Sequence, residues 1–181
     1  MFICLILMGQ SIDIIFENRV CWRILKFFLN NPTGEFYEKE IQQKIGAARA
    51  SVSKWLRALE NLELIHVVRR GRLKLHRLNR ENPVVKQLKI LETISWLLPK
   101  FKDFKGEGEL YLYGSTSRGE DVEGSDIDIL VIGRDRGIIE KIRRVDDRIK
   151  VSFFTPLEWA RMARDDQAFY ERVEKDRIRL M

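Results

Sequence analysis

Two apolar runs in the second half of the chain, "ELYLYG" ending at Gly114 and "SDIDILVIG" ending at Gly133, are of β-strand length and enclose a short stretch rich in Gly, Ser and acids. Side chains alternate along a strand, so Asp126 and Asp128, two residues apart, project from one face. Two carboxylates so placed suit a Mg²⁺ ion that also takes oxygens from a triphosphate. Gly114 allows close backbone approach, Ser115 offers a hydroxyl and an amide, and "TSRG" reads as a turn into a helix start. Arg118 adds a charge-assisted contact to phosphate. The candidate metal and catalytic residues are therefore Asp126 and Asp128, and the candidate nucleotide-binding residues Gly114, Ser115 and Arg118.

Gly114-Ser115, ten intervening residues with an internal Arg118-Gly119, and then Ser125 and Asp126-x-Asp128 make a specific spacing between two strands. It resembles the minimal nucleotidyltransferases of the DNA polymerase beta superfamily, over about Glu109 to Thr155 and into the helical run "PLEWARMARDDQAFYERVEKD". The resemblance implies an α/β domain with a mixed sheet backed by helices. It also implies Mg²⁺-dependent transfer of a nucleoside monophosphate to a hydroxyl, and a third carboxylate on a later strand that helps hold the catalytic metal. Aligned on Thr155-Pro156 in "IKVSFFTP", that carboxylate falls on Ser152, while Lys150 on the same strand face would repel a second cation. Asp146, Asp147, Glu120, Asp121 and Glu123 read as solvated surface acids. A nucleoside triphosphate and a single Mg²⁺ are thus expected to bind with weak or absent transfer. An active transferase acting on a protein or small-molecule hydroxyl is the alternative.

The net charge of +6 is uneven: residues 1–82 hold fourteen Lys and Arg against eight Asp and Glu, and the remainder nineteen of each. A basic half suits a polyanion partner. Within it, "RVCWRILKFFL" places Val20, Ile24, Leu25, Phe27 and Phe28 on one helical face before the turn cluster "NNPTGE". Ile41 and Ile45 mark a short helix broken at Gly46, and Val52, Trp55, Leu56 and Leu59 a second, a helix-turn-helix pattern. Two β-rich segments around Arg70-Gly71-Arg72 predict a tight hairpin, with His66 and His76 as sheet residues. The run from Arg19 to Asn79 resembles the winged helix-turn-helix domains of bacterial and archaeal transcription regulators. It departs from them at Ala48, where a Ser or Thr cap is usual, and at Glu63, where a glycine is usual. The resemblance implies double-stranded DNA as partner, with Arg49, Ser51, Ser53, Lys54 and Arg57 on the second helix and Arg69, Arg70, Arg72 and Lys74 on the hairpin. Such folds also serve as protein-interaction modules, which stays open as an assembly role.

"NPVVKQLKILETISWLLPKF" predicts a connector helix closed by Pro99, with a stripe of Val84, Leu88, Leu91 and Leu98. Residues 83–98 either form a homodimer contact or pack within the chain. "KDFKGEGE" reads as a flexible junction. The expected fold class is α+β in two domains: a winged helix over 12–81, a linker helix over 82–105, and an α/β nucleotidyltransferase core with a mixed sheet over 106–181. Two cysteines, Cys4 and Cys21, without CxxC spacing argue against zinc or a disulfide framework and for a reducing, cytoplasmic setting. The apolar opening "MFICLILM" is too short to span a bilayer. It reads as a buried strand, a dimer contact or an upstream extension. The expected function is a DNA-binding transcriptional regulator carrying a nucleotidyltransferase-like domain.

Overall fold

A computed structural model describes residues 12–181, and the opening "MFICLILM" lies outside the described residues. The chain divides into two compact units between Val85 and Lys86.

In the first unit a short helix α1 (Asp13–Glu17) precedes α2 (Arg19–Asn30). Asn18 starts α2, its side-chain oxygen accepting from the backbone N–H of Val20 and Cys21 at 3.0 and 3.1 Å. This satisfies two of the donors that a helix start leaves unpaired. α2 buries Cys21, Ile24, Leu25, Phe28 and Leu29. Burial pushes the Cys21 thiol up to about 11, which keeps it protonated and unreactive. Next come β1 (Phe36–Tyr37), α3 (Glu38–Ile45) and α4 (Arg49–Asn61), the last burying Val52, Trp55, Leu56 and Leu59 as the spacing predicts. Gly46, at φ 65°, ends α3 in the left-handed region. Strands β2 (Ile65–Arg70) and β3 (Leu73–Leu78) form the hairpin around Gly71, itself at φ 62°. β1 pairs with the other side of β3, giving the order β1-β3-β2. Glu63 is the one non-glycine residue with positive φ, at 57°, among the described residues. Its carbonyl accepts from the side-chain amides of Asn79 at 2.7 Å and Asn82 at 3.1 Å.

Helix α5 (Pro83–Phe101) crosses the division, and the second unit continues with β4 (Gly108–Tyr113), β5 (Ile127–Gly133), α6 (Ile138–Arg143), β6 (Ile149–Phe154), α7 (Pro156–Asp165), α8 (Gln167–Asp176) and β7 (Ile178–Arg179). The sheet order is β6-β5-β4-β7; β5 and β6 are parallel and the other pairs antiparallel, the mixed sheet expected. The parallel pair needs a crossover, which α6 supplies. One sheet face sends Leu110, Leu112, Ile127, Ile129, Val131 and Ile149 into a core with Leu97, Phe101 and Phe104. The other sends Tyr111 and Leu130 against Trp159 and Val173. Each fully buried Leu or Ile contributes about 1.5–3 kcal/mol relative to exposure, so both faces are stabilised chiefly by burial.

Several details differ from the expected pattern. α5 continues two residues past Pro99, because a proline near the last turn forfeits only one intrahelical hydrogen bond. "KDFKGEGE" is no loose junction at its start: Lys102–Phe104 forms a 3-10 turn that buries Phe104. The connector is not a free-standing linker, since Leu97 and Phe101 belong to the second unit's core. Of its predicted stripe, Leu88 is buried while Leu91 and Leu98 stand 52% and 41% exposed. "TSRG" forms a 3-10 turn only. The last helical run is two helices, parted at Asp166, whose carboxylate caps α8 by accepting from Phe169 N–H at 3.0 Å. Among the described residues no helix is long and apolar enough to cross a membrane.

Candidate functional site

Strand register gathers the site at one end of the second unit's sheet. Tyr113 on β4 stands opposite Asp128 on β5, and Asp128 opposite Lys150 on β6. All three lie on the face that α7 and α8 cover farther along. Asp126, just before β5, places Oδ1 3.7 Å from Lys150 Nζ. Asp128 is half-buried. Burial first, and then the charge of Asp126, push its carboxyl above the usual carboxylate range, while the Arg172 guanidinium pulls the other way.

The turn after β4 is shaped around Asp128. Gly114 sits at φ 79°, and a Cβ there would overlap Asp128 Oδ2. Ser117 Oγ donates to the Gly114 carbonyl at 2.9 Å and Thr116 Oγ1 to the Asp126 carbonyl at 3.2 Å, tying the turn to the start of β5. The Ser115 carbonyl accepts from the N–H groups of Arg118 and Glu120. Gly119, at φ 66°, lies against the backbone of Lys86. Glycine is required there by both conformation and space.

Gly114 lies against Asp128, and Thr116 ties the turn that carries Ser115 to the Asp126 carbonyl. Arg118 is differently employed: its guanidinium donates to Glu120 at 2.8 Å and to Asp176 at 3.2 Å, bracing the turn against the end of α8. The alternative acids are also engaged. Asp121 takes the buried Lys89 ammonium at 2.8 Å, and Asp146 takes Arg148 through two contacts of 2.9 and 3.1 Å.

Ser152, the position at which the resemblance puts a third carboxylate, lies on β6. Counting back from Thr155 selects Ser152, yet Ser152 lies opposite Leu130, one pleat beyond the site, sharing a 2.9 Å hydrogen bond with the Tyr113 hydroxyl. The β6 residue beside Asp128 is Lys150. Strand pairing, not distance from the strand end, decides which side chains meet. Neither residue is an acid, so this face of β6 offers no carboxylate. Asp126 and Asp128 are the carboxylates at this end of the sheet that could hold a divalent cation. They do not make a three-carboxylate centre for two, and no cluster of three or more His, Cys, Asp or Glu suited to a metal occurs among the described residues. Tyr113 and Arg172 are the residues that sequence reasoning missed. The alternation of β4 could have flagged Tyr113; nothing in the spacing points to Arg172, which reaches the site from α8.

In the first unit, Arg49, Lys54 and Arg57 are exposed on α4, and Ser51 and Ser53 are half-buried. Arg49 lies 3.9 Å from Glu38 and remains 85% exposed, while Lys54 rests its ammonium 4.7 Å above the Trp55 ring. Arg69 pairs across the hairpin with Lys74, and Arg72 is exposed at its tip. Arg70 is committed elsewhere, its guanidinium donating to both oxygens of Glu35 at 2.9 and 3.1 Å. His76 is buried with both ring nitrogens lacking a protein partner, and burial lowers its pKa. Desolvation disfavours the charged imidazolium, so His76 is a neutral sheet residue as expected.

Residues 94–179 match the family model described as a nucleotidyltransferase domain. That stretch runs from within α5 to the end of β7 and contains every residue of the Asp126-Asp128 site. No curated protein matches the chain.

Proposed function

We propose that the second unit binds a nucleoside triphosphate with one Mg²⁺ and does not turn it over, and that the first unit is a winged helix that binds double-stranded DNA. The chain would then be a DNA-binding transcriptional regulator whose nucleotidyltransferase-like domain serves as a ligand site. The observation that carries the non-catalytic reading is that β6 presents Lys150 beside Asp128 and Ser152 one pleat on, so that its site-facing side offers no further carboxylate. Mg²⁺, when bound, supplies charge neutralisation to the phosphates. Asp126 and Asp128 would hold it, Gly114 would admit the phosphates close to the backbone, and the Ser115 hydroxyl and amide would orient them. Loss of one metal ligand from such a site removes several kcal/mol of transition-state stabilisation, on the order of a thousandfold in rate.

Support for the DNA role comes from the order α2, β1, α3, α4, β2, β3 and from the exposed Arg49, Lys54, Arg57, Arg69, Arg72 and Lys74. In this reading α4 enters the major groove and the hairpin lies on the backbone. The intact Gly114-Ser115 and Asp126-x-Asp128 elements favour a second reading, an active transferase modifying a protein or small-molecule hydroxyl. Incubation with radiolabelled ATP, GTP, CTP and UTP plus Mg²⁺ separates the two. Retained nucleotide without label transfer is expected, binding being lost in Asp126→Ala; robust transfer to any acceptor would rule out the non-catalytic reading.

A further inference from the structure

We infer that the ammonium of Lys150 takes the place of a second divalent cation, so that the site is built to hold a nucleoside triphosphate with one metal and one fixed protein charge. The inference rests on the nucleotide-binding reading above and adds to it the identity of the second cation. Lys150 is the cross-strand partner of Asp128, and its ammonium lies 3.7 Å from Asp126 Oδ1. The positive charge is thus tethered against Asp126, one of the two carboxylates that a pair of metals would share, on the strand that pairs with Asp128. A two-metal phosphoryl-transfer site sets two divalent cations among several carboxylates. With three carboxylates the balance is one net positive charge. One divalent cation and an ammonium among two carboxylates leave the same balance, so the triphosphate meets an equivalent field. What differs is chemistry: an ammonium donates hydrogen bonds to phosphate oxygens but has no open coordination position to activate an attacking hydroxyl. The next pleat of β6 offers no replacement ligand, because Ser152 shares its hydrogen bond with Tyr113. The position is therefore occupied and catalytically silent.

The competing account is an ordinary surface ion pair. The Lys150 and Asp126 side chains are 58% and 56% exposed. Pairs of that kind contribute little to stability. The two accounts part on ligand binding, because a decorative surface pair would not alter nucleotide affinity.

The test uses the full chain with Mn²⁺ and the α,β-methylene analogues of ATP, GTP, CTP and UTP in turn, counting bound manganese by electron paramagnetic resonance. The native chain should hold one Mn²⁺ per bound analogue. Lys150→Asp should hold two, because the substitution removes the tethered charge and supplies the missing ligand. Lys150→Ala should still hold one, with about tenfold weaker nucleotide binding from the lost charge-assisted contact. Circular dichroism checks that these exposed-site variants keep the native fold. Two manganese ions in the native chain, or unchanged affinity in Lys150→Ala, would overturn the inference and leave the nucleotide site standing. Failure of the native chain to bind any analogue would overturn the nucleotide-binding reading itself, and the inference with it.

Discussion

Gly114 and Asp128 compete for the same space, and the absence of a side chain at Gly114 decides the outcome. Gly114→Ala would force a left-handed backbone on a residue with a Cβ and drive that Cβ into Asp128 Oδ2. We expect a loss of about 1–3 kcal/mol in stability together with loss of nucleotide binding, measured by chemical denaturation and equilibrium dialysis; unchanged binding would contradict the geometry. Asp128 carries a burden of its own. Its carboxyl is raised above the ordinary carboxylate range by burial and by Asp126, so the folded chain binds this proton more tightly than the unfolded chain. The stability contributed by this group is therefore fully present below the unfolded-state value and is lost as pH rises through the folded-state value. Asp128→Asn should raise the thermal midpoint at neutral pH, and the gain should vanish in acid below the unfolded value. A midpoint at neutral pH no higher than native would refute this account of Asp128.

At the scale of elements, α4 begins and ends with an imperfection that can be repaired. Ala48 occupies the N-cap and makes no side-chain hydrogen bond there. Ala48→Ser should stabilise the first unit by about 1 kcal/mol, read as a shift in denaturant midpoint without change of slope. Past the other end, Glu63 holds φ 57° while two asparagines bond its carbonyl. Glu63→Gly keeps those bonds and removes the left-handed penalty at some entropic cost, for a net gain of about 0.5–1 kcal/mol. Destabilisation by this change would mean that the Glu63 side chain has a role not visible in its backbone geometry.

For the whole molecule, the excess positive charge is confined to the first half of the chain, whereas the second half is balanced. If about five of the exposed cations reach phosphates, the affinity for duplex DNA should fall with salt at a log–log slope of roughly −4 to −5. Arg72→Ala should reduce that slope by about one. Arg70→Ala should change it less, since Arg70 is already neutralised by Glu35. Asp126→Ala should leave DNA retention intact. A mobility-shift series between low and physiological salt measures all of these, and no retardation even at low salt would move the first unit to an assembly role.

Local patterns determined much of this protein without reference to three-dimensional contacts. Alternation in "ELYLYG" and "SDIDILVIG" marked two strands and placed Asp126 and Asp128 on one face, because the pleat has a period of two. Spacings of three and four placed Val52, Trp55, Leu56 and Leu59 in the core, because an α-helix repeats about every 3.6 residues. The resemblance to winged helices marked Glu63 as unusual, since those domains usually carry a glycine there, and positive φ penalises any residue with a Cβ. Three matters were left to the tertiary structure. Which β6 residue faces Asp128 depends on the register of two strands separated by α6, and pairing selected Lys150 where counting from Thr155 selected Ser152. Which basic residues are already neutralised depends on partners distant in sequence, Glu35 for Arg70 and Asp176 for Arg118. Where the second unit begins depends on the burial of Leu97 and Phe101 against strands that follow them. Periodicity is a property of neighbours along the chain, whereas register, charge pairing and burial are properties of segments that meet only after folding.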